Sequence, residues 1–249
     1  MRYCRELVSS HRRISDVWDP YVLVESVMDY PRHREVYASG EASFYTRAHD
    51  VCLVLNRLRE LILGKRVCVI MPAYDLKALD PVFKECDSVI AAETGSRIAL
   101  EQGRRLDVIV TDLDASLQLL SLYPIISRYR VIHVHGDNLE RFREYVTMEN
   151  GNFILTSQVS PLDDSRVLGP FGYTDGDRSV LLPIVMGARE IFVFGYEPHK
   201  PLAKRVFSGD KRVKIWLGML LMHYYASIYG YRFSNHEGVM MFRKVSSMV

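Results

Sequence analysis

The stretch VIVTDLDAS, residues 108–116, indicates both the fold of this chain and its chemistry. Its first residues are apolar and mostly β-branched, which is typical of a strand that is buried on both faces. Two acids, Asp112 and Asp114, follow directly. Carboxylates this close repel each other unless a cation lies between them. We therefore predict a cation site where this strand ends, with Asp112 as a cap of the following helix as the alternative.

Five other segments resemble this strand and alternate with helical patterns. Their continuous Val, Ile and Phe content predicts strands of a covered parallel sheet at residues 66–72, 88–93, 130–137, 152–157 and 190–195. Apolar repeats of helical period lie between or beside them, at residues 96–103, 117–128, 139–148 and 176–186. The alternation predicts an α/β fold, with a doubly wound, mostly parallel sheet flanked by helices.

Residues 1–64 lack this alternation and predict a small, mainly helical N-terminal region. Residues 42–63 carry apolar side chains near a helical period, and Gly64 follows as a stop signal. We therefore divide the chain into this region and an α/β domain over residues 65–249. Residues 215–231 carry no Lys, Arg, Asp or Glu, but they are short for a membrane span of about 20 residues. A buried helix is the better interpretation, packed on its own core or on a second copy in a homodimer.

Composition and charge exclude several classes of protein. Of 249 residues, 48% are hydrophobic and 25% are charged, as in soluble globular proteins. The formal net charge of +2 does not favour nucleic acid as the main partner. No apolar signal segment is visible at the N-terminus, and the four cysteines have no C-x-x-C spacing. We therefore expect reduced, buried cysteines and a cytoplasmic protein without a membrane anchor.

Polar residues and glycine follow several of the predicted strands, where ligands bind in such sheets. Thr94, Gly95 and Ser96 offer hydroxyl groups and an adaptable backbone at a helix start. His133 and His135 fit a metal site, although satisfied core histidines are more common. Asp137 can join a metal shell, or bind a ribose or a phosphate-bound water.

A third cluster, GPFGYTDGDRSV at residues 169–180, precedes a predicted helix. Free N–H groups at a helix start suit an anion. Arg178 can clamp phosphate oxygens, and Asp175 and Asp177 can cap the helix, hold metal or orient a hydroxyl. An ordinary capped loop is the alternative. A basic run precedes the last helix, either as a solvated surface or as a loop closing over polyphosphate: Lys204, Arg205, Lys211, Arg212 and Lys214.

Three motifs, VIVTDLDAS, HVHGDN and GYTDGDRSVLL, resemble in this order the archaeal 6-hydroxymethyl-7,8-dihydropterin pyrophosphokinase family, and more remotely the thiamine pyrophosphokinases. The resemblance covers roughly residues 65–230. It implies transfer of a diphosphate from ATP to the hydroxymethyl group of a reduced pterin, with release of AMP. It also implies Mg²⁺ dependence and a place in tetrahydromethanopterin or folate-type biosynthesis.

The resemblance also implies roles for single residues. Magnesium would be held by Asp112, Asp114 and Asp137, and catalysis would involve Asp175, Asp177 and Arg178, with Asp177 orienting the hydroxyl. Nucleotide contacts would come from Thr94, Gly95, Ser96, Asn138, Lys211 and Lys214.

The chain departs from the family pattern after its first core strand. There the family has a glycine-containing turn, whereas this chain has Met71-Pro72-Ala73-Tyr74-Asp75. The departure keeps open a shifted substrate, or a nucleotide- or pterin-binding protein without catalysis. A glycosyltransferase is a further alternative, because a D-x-D turn can hold a metal and a sugar nucleotide, but it leaves HGDN and YTDGDR without a role.

Overall fold

The structure of the chain is a computed structural model. It describes Cys4, Val22, Glu25 and residues 31–72, 83–101, 103, 105–159, 166–169, 171–196 and 209–245. The unusual turn at residues 73–75 lies outside the described residues, as do Lys204 and Arg205.

Helices and strands alternate as the sequence predicts. The helices are α1 Arg32–Tyr45, α2 Val51–Ile62, α3 Gly95–Glu101, α4 Leu117–Ile126, α5 Leu139–Val146, α6 Asp175–Val185 and α7 Gly209–Ile228. The strands are β1 Arg66–Ile70, β2 Ser88–Ala92, β3 Leu106–Thr111, β4 Ser127–His133, β5 Phe153–Thr156, β6 Val167–Leu168, β7 Glu190–Phe194, β8 Tyr231–His236 and β9 Val239–Lys244. The prediction of an α/β fold with mostly parallel strands is confirmed.

The chain forms two compact units, each built from two segments. Residues 1–57 and 111–172 form the first, and residues 58–110 and 173–249 form the second. In the first unit, β4 pairs with β5 and β5 with β6, both in parallel. In the second, the strand order is β3-β2-β1-β7-β9-β8, with the last two pairings antiparallel. The division into domains at residue 64 stays a prediction.

Burial of both faces explains why the central strands have such uniform sequences. Every residue of β2 is buried, as are Val67 to Ile70 of β1. The antiparallel pair β8 and β9, which the sequence analysis missed, is different. Strand β8 is largely exposed, so its composition is mixed and carries no continuous apolar signal. Its tight turn uses Glu237 and Gly238, both with positive φ, as hairpin turns require.

The N-terminal helical pattern belongs to two helices, so the prediction of one helix over residues 42–63 is wrong. Helix α1 ends at Tyr45, where the Thr46 hydroxyl donates a hydrogen bond to the Ala42 carbonyl at 2.8 Å. Helix α2 begins at Val51, and the Asp50 carboxylate accepts from the Leu53 amide at 2.9 Å. A side-chain cap of this kind starts a new helix. The apolar period continues across this break, which conceals it in the sequence.

Helix α7 is buried on one face and exposed on another, and both faces carry apolar side chains. Leu221 and Tyr225 are 3% and 2% exposed, whereas Trp216 and Leu220 on another face are 45% and 51% exposed. The prediction of a buried helix at residues 215–231 is therefore confirmed for one face of α7, which ends at Ile228. Within the described residues, no helix combines the length and the apolar character that crossing a membrane requires.

The four cysteines form two disulfides, so the prediction of reduced cysteines is wrong. Cys4 pairs with Cys52, and Cys68 in β1 pairs with Cys86 before β2. Their apolar surroundings, which the sequence did indicate, suit reduced and oxidised cysteines alike. Pairing depends on Cα–Cα distances of 5.3 and 5.7 Å, which spacing along the chain does not reveal.

Replacing Cys68 and Cys86 together by alanine should lower the free energy of unfolding by roughly 3 kcal/mol, because the disulfide closes an 18-residue separation in the unfolded chain. Denaturant unfolding without reductant measures this change. Excess dithiothreitol reduces the disulfide. Under these conditions, the difference in the free energy of unfolding between variant and wild type should shrink. Equal stability of the two proteins under oxidising conditions would contradict the pairing.

Candidate active site at the strand ends

The D-L-D turn of the first unit reverses the chain immediately after β3. Leu113, between the two acids, has φ of 66°, in the left-handed region. This conformation costs a non-glycine residue roughly 1 kcal/mol. The Leu113 side chain is buried, Asp112 is half-buried and Asp114 is exposed. The amide of Asp114 donates to Asp112 Oδ1 at 3.3 Å. The two carboxylates therefore have different surroundings, although they are close in sequence.

Side chains from the neighbouring H-G-D-N loop hold this turn in place. Asn138 Nδ2 donates to the carbonyls of Asp112 at 2.7 Å and of His133 at 2.8 Å, and its Oδ1 accepts from the His135 amide at 2.9 Å. Arg141 Nη1 donates to the Leu113 carbonyl at 2.8 Å. Asn138 is 4% exposed, so these bonds are shielded from water. Its side chain positions the backbone that carries Asp112, while its predicted nucleotide contact stays a prediction.

The three predicted magnesium ligands occupy separate positions within the first unit. Asp112, Asp114 and Asp137 do not form a group of three ligand atoms within 4.8 Å of one another, as far as the described residues show. Their shared role as ligands of one ion stays a prediction. The alternative role of Asp112 as a helix cap is wrong, because Ser116 is the N-cap of α4 and accepts from the Leu119 amide.

His133 and His135 stack with ring centroids 5.5 Å apart. His133 is 2% exposed, and its Nδ1 lies 3.1 Å from the Thr156 carbonyl. His135 Nδ1 accepts from the Asp137 amide at 3.3 Å. These contacts involve Nδ1 of His133, and its interpretation as a core histidine rather than a metal ligand stays a prediction.

The sequence analysis missed Glu35, a buried acid of α1 that contacts the same loop. Glu35 Oε1 accepts from the Gly136 amide at 3.2 Å. A Cβ atom at Gly136 would lie 2.9 Å from the Cβ of Arg34, so glycine permits this close approach of helix and loop. Glutamate on a helix is usually exposed, and nothing in the sequence around Glu35 distinguishes it.

In the second unit, a carboxylate from the end of β2 meets one from the start of α6. Glu93 and Asp175 each offer an oxygen, and these oxygens lie within 4.8 Å of each other. Both residues are half-buried. Glu93 has φ of 32°, a strained value for glutamate. The sequence analysis predicted roles for the turn that follows Glu93 and for Asp175 but assigned none to Glu93 itself.

The Thr94-Gly95-Ser96 turn begins α3, close to the end of β1. A Cβ at residue 95 would lie 2.4 Å from the carbonyl oxygen of Ile70, so only glycine fits at this position. Ser96 is 1% exposed, and its amide donates to the Glu93 carbonyl at 2.9 Å. The close approach gives Gly95 a structural reason to be glycine. The nucleotide contacts of this turn stay a prediction.

Helix α6 begins with a capping box formed by Thr174 and Asp177. Asp177 is fully buried, and its carboxylate accepts from the amides of Tyr173 at 2.8 Å, Thr174 at 2.7 Å and Arg178 at 3.0 Å, and from the Thr174 hydroxyl at 2.9 Å. Burial raises the pKa of Asp177 above its usual range, while Arg178 and these donors oppose the increase. The carboxylate therefore organises this turn, and the hydroxyl-orienting role predicted for it stays a prediction.

Arg178 and the lysines complete the predicted residues of the second unit. Arg178 Nη1 donates to Asp175 Oδ1 at 3.3 Å, and the arginine side chain is 1% exposed whereas that of Asp175 is 13% exposed. Arg178 thus orients Asp175, one of the two acids of the Glu93–Asp175 pair. Lys211 and Lys214 belong to the first turns of α7, and Lys214 is half-buried.

Replacing Asn138 by leucine should lower the free energy of unfolding by about 3 kcal/mol, because two buried carbonyls and one amide lose their partners. Leucine keeps the volume, so the lost hydrogen bonds dominate the change. Chemical denaturation checks it, with the exposed Asn235→Leu in β8 as the control that should change stability by less than about 0.5 kcal/mol. Equal effects of the two substitutions would show that Asn138 does not hold the turn.

No model of a protein family matches the chain. Three curated proteins named 6-hydroxymethyl-7,8-dihydropterin pyrophosphokinase are similar to it. The protein of Pyrococcus furiosus is 38% identical over 108 residues, which are 43% of this chain and 45% of the relative. The protein of Methanothermobacter thermautotrophicus is 34% identical over 110 residues, 44% of this chain and 46% of the relative.

The protein of Methanocaldococcus jannaschii matches over a longer range, with 27% identity over 152 residues, 57% of this chain and 63% of the relative. The matches thus span between 45% and 63% of the length of these relatives. They confirm the resemblance predicted from the three motifs. Over the matched regions, this chain is similar to archaeal proteins named 6-hydroxymethyl-7,8-dihydropterin pyrophosphokinase.

Proposed function

We propose that the chain transfers diphosphate from ATP to the hydroxymethyl group of 6-hydroxymethyl-7,8-dihydropterin in a Mg²⁺-dependent reaction that releases AMP. The observation that carries the proposal is the pairing of Glu93 and Asp175 at a strand end, with oxygens within 4.8 Å, in a chain whose relatives are named for this activity. Tetrahydromethanopterin or folate-type biosynthesis is the context to which such a product belongs.

The chemistry of the donors fits magnesium, which prefers hard oxygen ligands and commonly uses one or two carboxylates with substrate phosphate and water. In the second unit Glu93 and Asp175 would supply such oxygens. In the first unit Asp112 would do so, with Asp114 and Asp137 as further acids. When bound, the cation would neutralise charge on the phosphate oxygens of ATP.

The residues at the start of α6 would guide the attacking hydroxyl. In the proposed step, the hydroxymethyl oxygen forms a bond to the β-phosphorus, and the bond from that phosphorus to the α–β bridging oxygen breaks. AMP leaves with that oxygen and its electron pair. The hydroxyl proton passes to a carboxylate, and Asp175 is our choice because it is less buried than Asp177. Arg178 orients Asp175, and Asp177 orients the turn.

Positive charge and hydroxyl groups would bind the nucleotide. Lys211 and Lys214 in α7 can neutralise polyphosphate, and Thr94, Gly95 and Ser96 offer hydroxyl and backbone donors. Asn138 would contribute mainly by holding the D-L-D turn. We propose a cytoplasmic location because ATP is an intracellular substrate, and disulfides also occur inside cells of hyperthermophilic archaea.

Incubation with ATP, Mg²⁺ and 6-hydroxymethyl-7,8-dihydropterin should give AMP and the pterin diphosphate in equal amounts. Chromatography of nucleotides and pterins measures both, and EDTA should abolish both. Formation of ADP would mean attack on the γ-phosphorus and would contradict the mechanism. Bound ATP without turnover would favour a binding protein, or a chain with a different acceptor.

Asp112→Asn and Glu93→Gln should each lower kcat/KM by about 100-fold or more, because each removes a charged oxygen that stabilises the transition state. Both substitutions preserve side-chain volume, so the circular dichroism spectrum should not change. Glu144→Gln, an exposed acid of α5, is the matched control and should retain full activity. Full activity of Glu93→Gln would remove Glu93 from the proposed site.

A further inference from the structure

Helix α7 lies against the first turn of α6 at a position where no side chain fits. A Cβ atom at Gly218 would lie 2.8 Å from Asp177 Oδ2 and 3.0 Å from both Cβ and Cγ of Asp177. Real Cβ atoms essentially never approach other atoms more closely than 3.0 Å. The absence of a side chain at residue 218 therefore allows the two helices to come this close.

The carboxylate opposite Gly218 has no freedom to move away. Asp177 is fully buried, and four donors from Tyr173, Thr174 and Arg178 fix its two oxygens. Rotation of its side chain would break the capping box that begins α6. A methyl group at residue 218 must therefore displace α7 rather than Asp177.

A second contact fixes the same part of α7. The Tyr196 hydroxyl donates to the Ile215 carbonyl of α7 at 2.8 Å. The Tyr196 ring also approaches the first turn of α6, since a Cβ at Gly176 would lie 3.3 Å from it. Tyr196 is 9% exposed. The hydroxyl and the glycine together fix both the distance and the register of α7 relative to α6.

Lys214 lies on the face of α7 that this packing orients. Residues 214, 218, 221 and 225 share one helical face, because residues three and four apart are neighbours on a helix. Gly218, Leu221 and Tyr225 of this face are buried, and Lys214 is half-buried at its N-terminal end. Lys214 thus extends the contact face by one turn beyond the point where α7 meets Asp177.

We propose that Gly218 is a positioning residue for nucleotide binding. It allows α7 to pack directly on Asp177, and this packing determines the position of Lys214. The inference rests on the proposed function in one respect, the role of Lys214 in binding the phosphates of ATP. If α7 no longer packed directly on Asp177, Lys214 would move away from the phosphates. No group that contacts the substrate would be replaced.

A double-mutant cycle tests this coupling. Gly218→Ala should weaken binding of Mg²⁺ with α,β-methylene-ATP by about tenfold, measured by calorimetry. In a background in which both lysines are replaced, Lys211→Ala with Lys214→Ala, the same substitution should have less than about a threefold effect. Gly40→Ala in α1, where a Cβ meets no atom within 4 Å, is the matched control and should bind normally. Equal effects of Gly218→Ala in both backgrounds would overturn the proposal.

Tyr196→Phe provides a second double-mutant cycle, and this substitution introduces no steric clash. It tests the proposal even if Gly218→Ala does not fold. It should weaken binding of the analogue by about threefold with both lysines present and leave it unchanged in the background that carries Lys211→Ala and Lys214→Ala. An undiminished effect in that background would overturn the proposal, as would absence of nucleotide binding by the wild type. Wild-type binding without AMP formation would instead contradict the proposed function, and the cycles would still report on Gly218.

Discussion

The constraint on which the structure depends is burial of the central strands on both faces. Such strands exclude charged side chains along their length, because a buried charge without a partner is strongly unfavourable. Polar residues therefore collect where the strands end, and Glu93 and Asp112 follow the buried strands β2 and β3 directly. The same apolar surroundings strengthen electrostatic interactions with a cation or phosphate. The sheet thus concentrates chemistry at its carboxyl ends.

Placing acids there requires backbone that is less stable than a regular strand, and neighbouring residues offset the difference. Leu113 and Glu93 have positive φ. Leu113 lies just after β3, and Glu93 directly follows β2. Asn138 and Arg141 hold the first turn through two of its carbonyls, those of Asp112 and Leu113. In the second unit, Asp177 organises the turn that carries Asp175. Helix α7 packs against Asp177 at Gly218. Asp177 thus supports its site from two residues away in sequence, whereas Asn138 and Arg141 support theirs from a different loop and helix.

The sequence predicted what depends on local pattern. Continuous apolar runs identified six strands, and the order of three motifs indicated the resemblance that comparison with relatives confirmed. It did not predict what depends on contacts distant in sequence. Both disulfides and the buried Glu35 depend on such contacts, and so does the pairing of Glu93 with Asp175. Asp177 and Asn138 are intermediate, since their motifs were recognised but their contacts with the backbone were not.

Binding of Mn²⁺, followed by electron paramagnetic resonance, tests most directly whether the acids at these strand ends bind cations. With α,β-methylene-ATP present, the wild-type chain should bind Mn²⁺, and Asp112→Asn and Glu93→Gln should each weaken this binding by about tenfold or more, because charged oxygen ligands dominate affinity for hard cations. The exposed Glu144→Gln should leave it unchanged. Unaltered Mn²⁺ affinity in both Asp112→Asn and Glu93→Gln would contradict a metal-dependent transfer at these carboxylates.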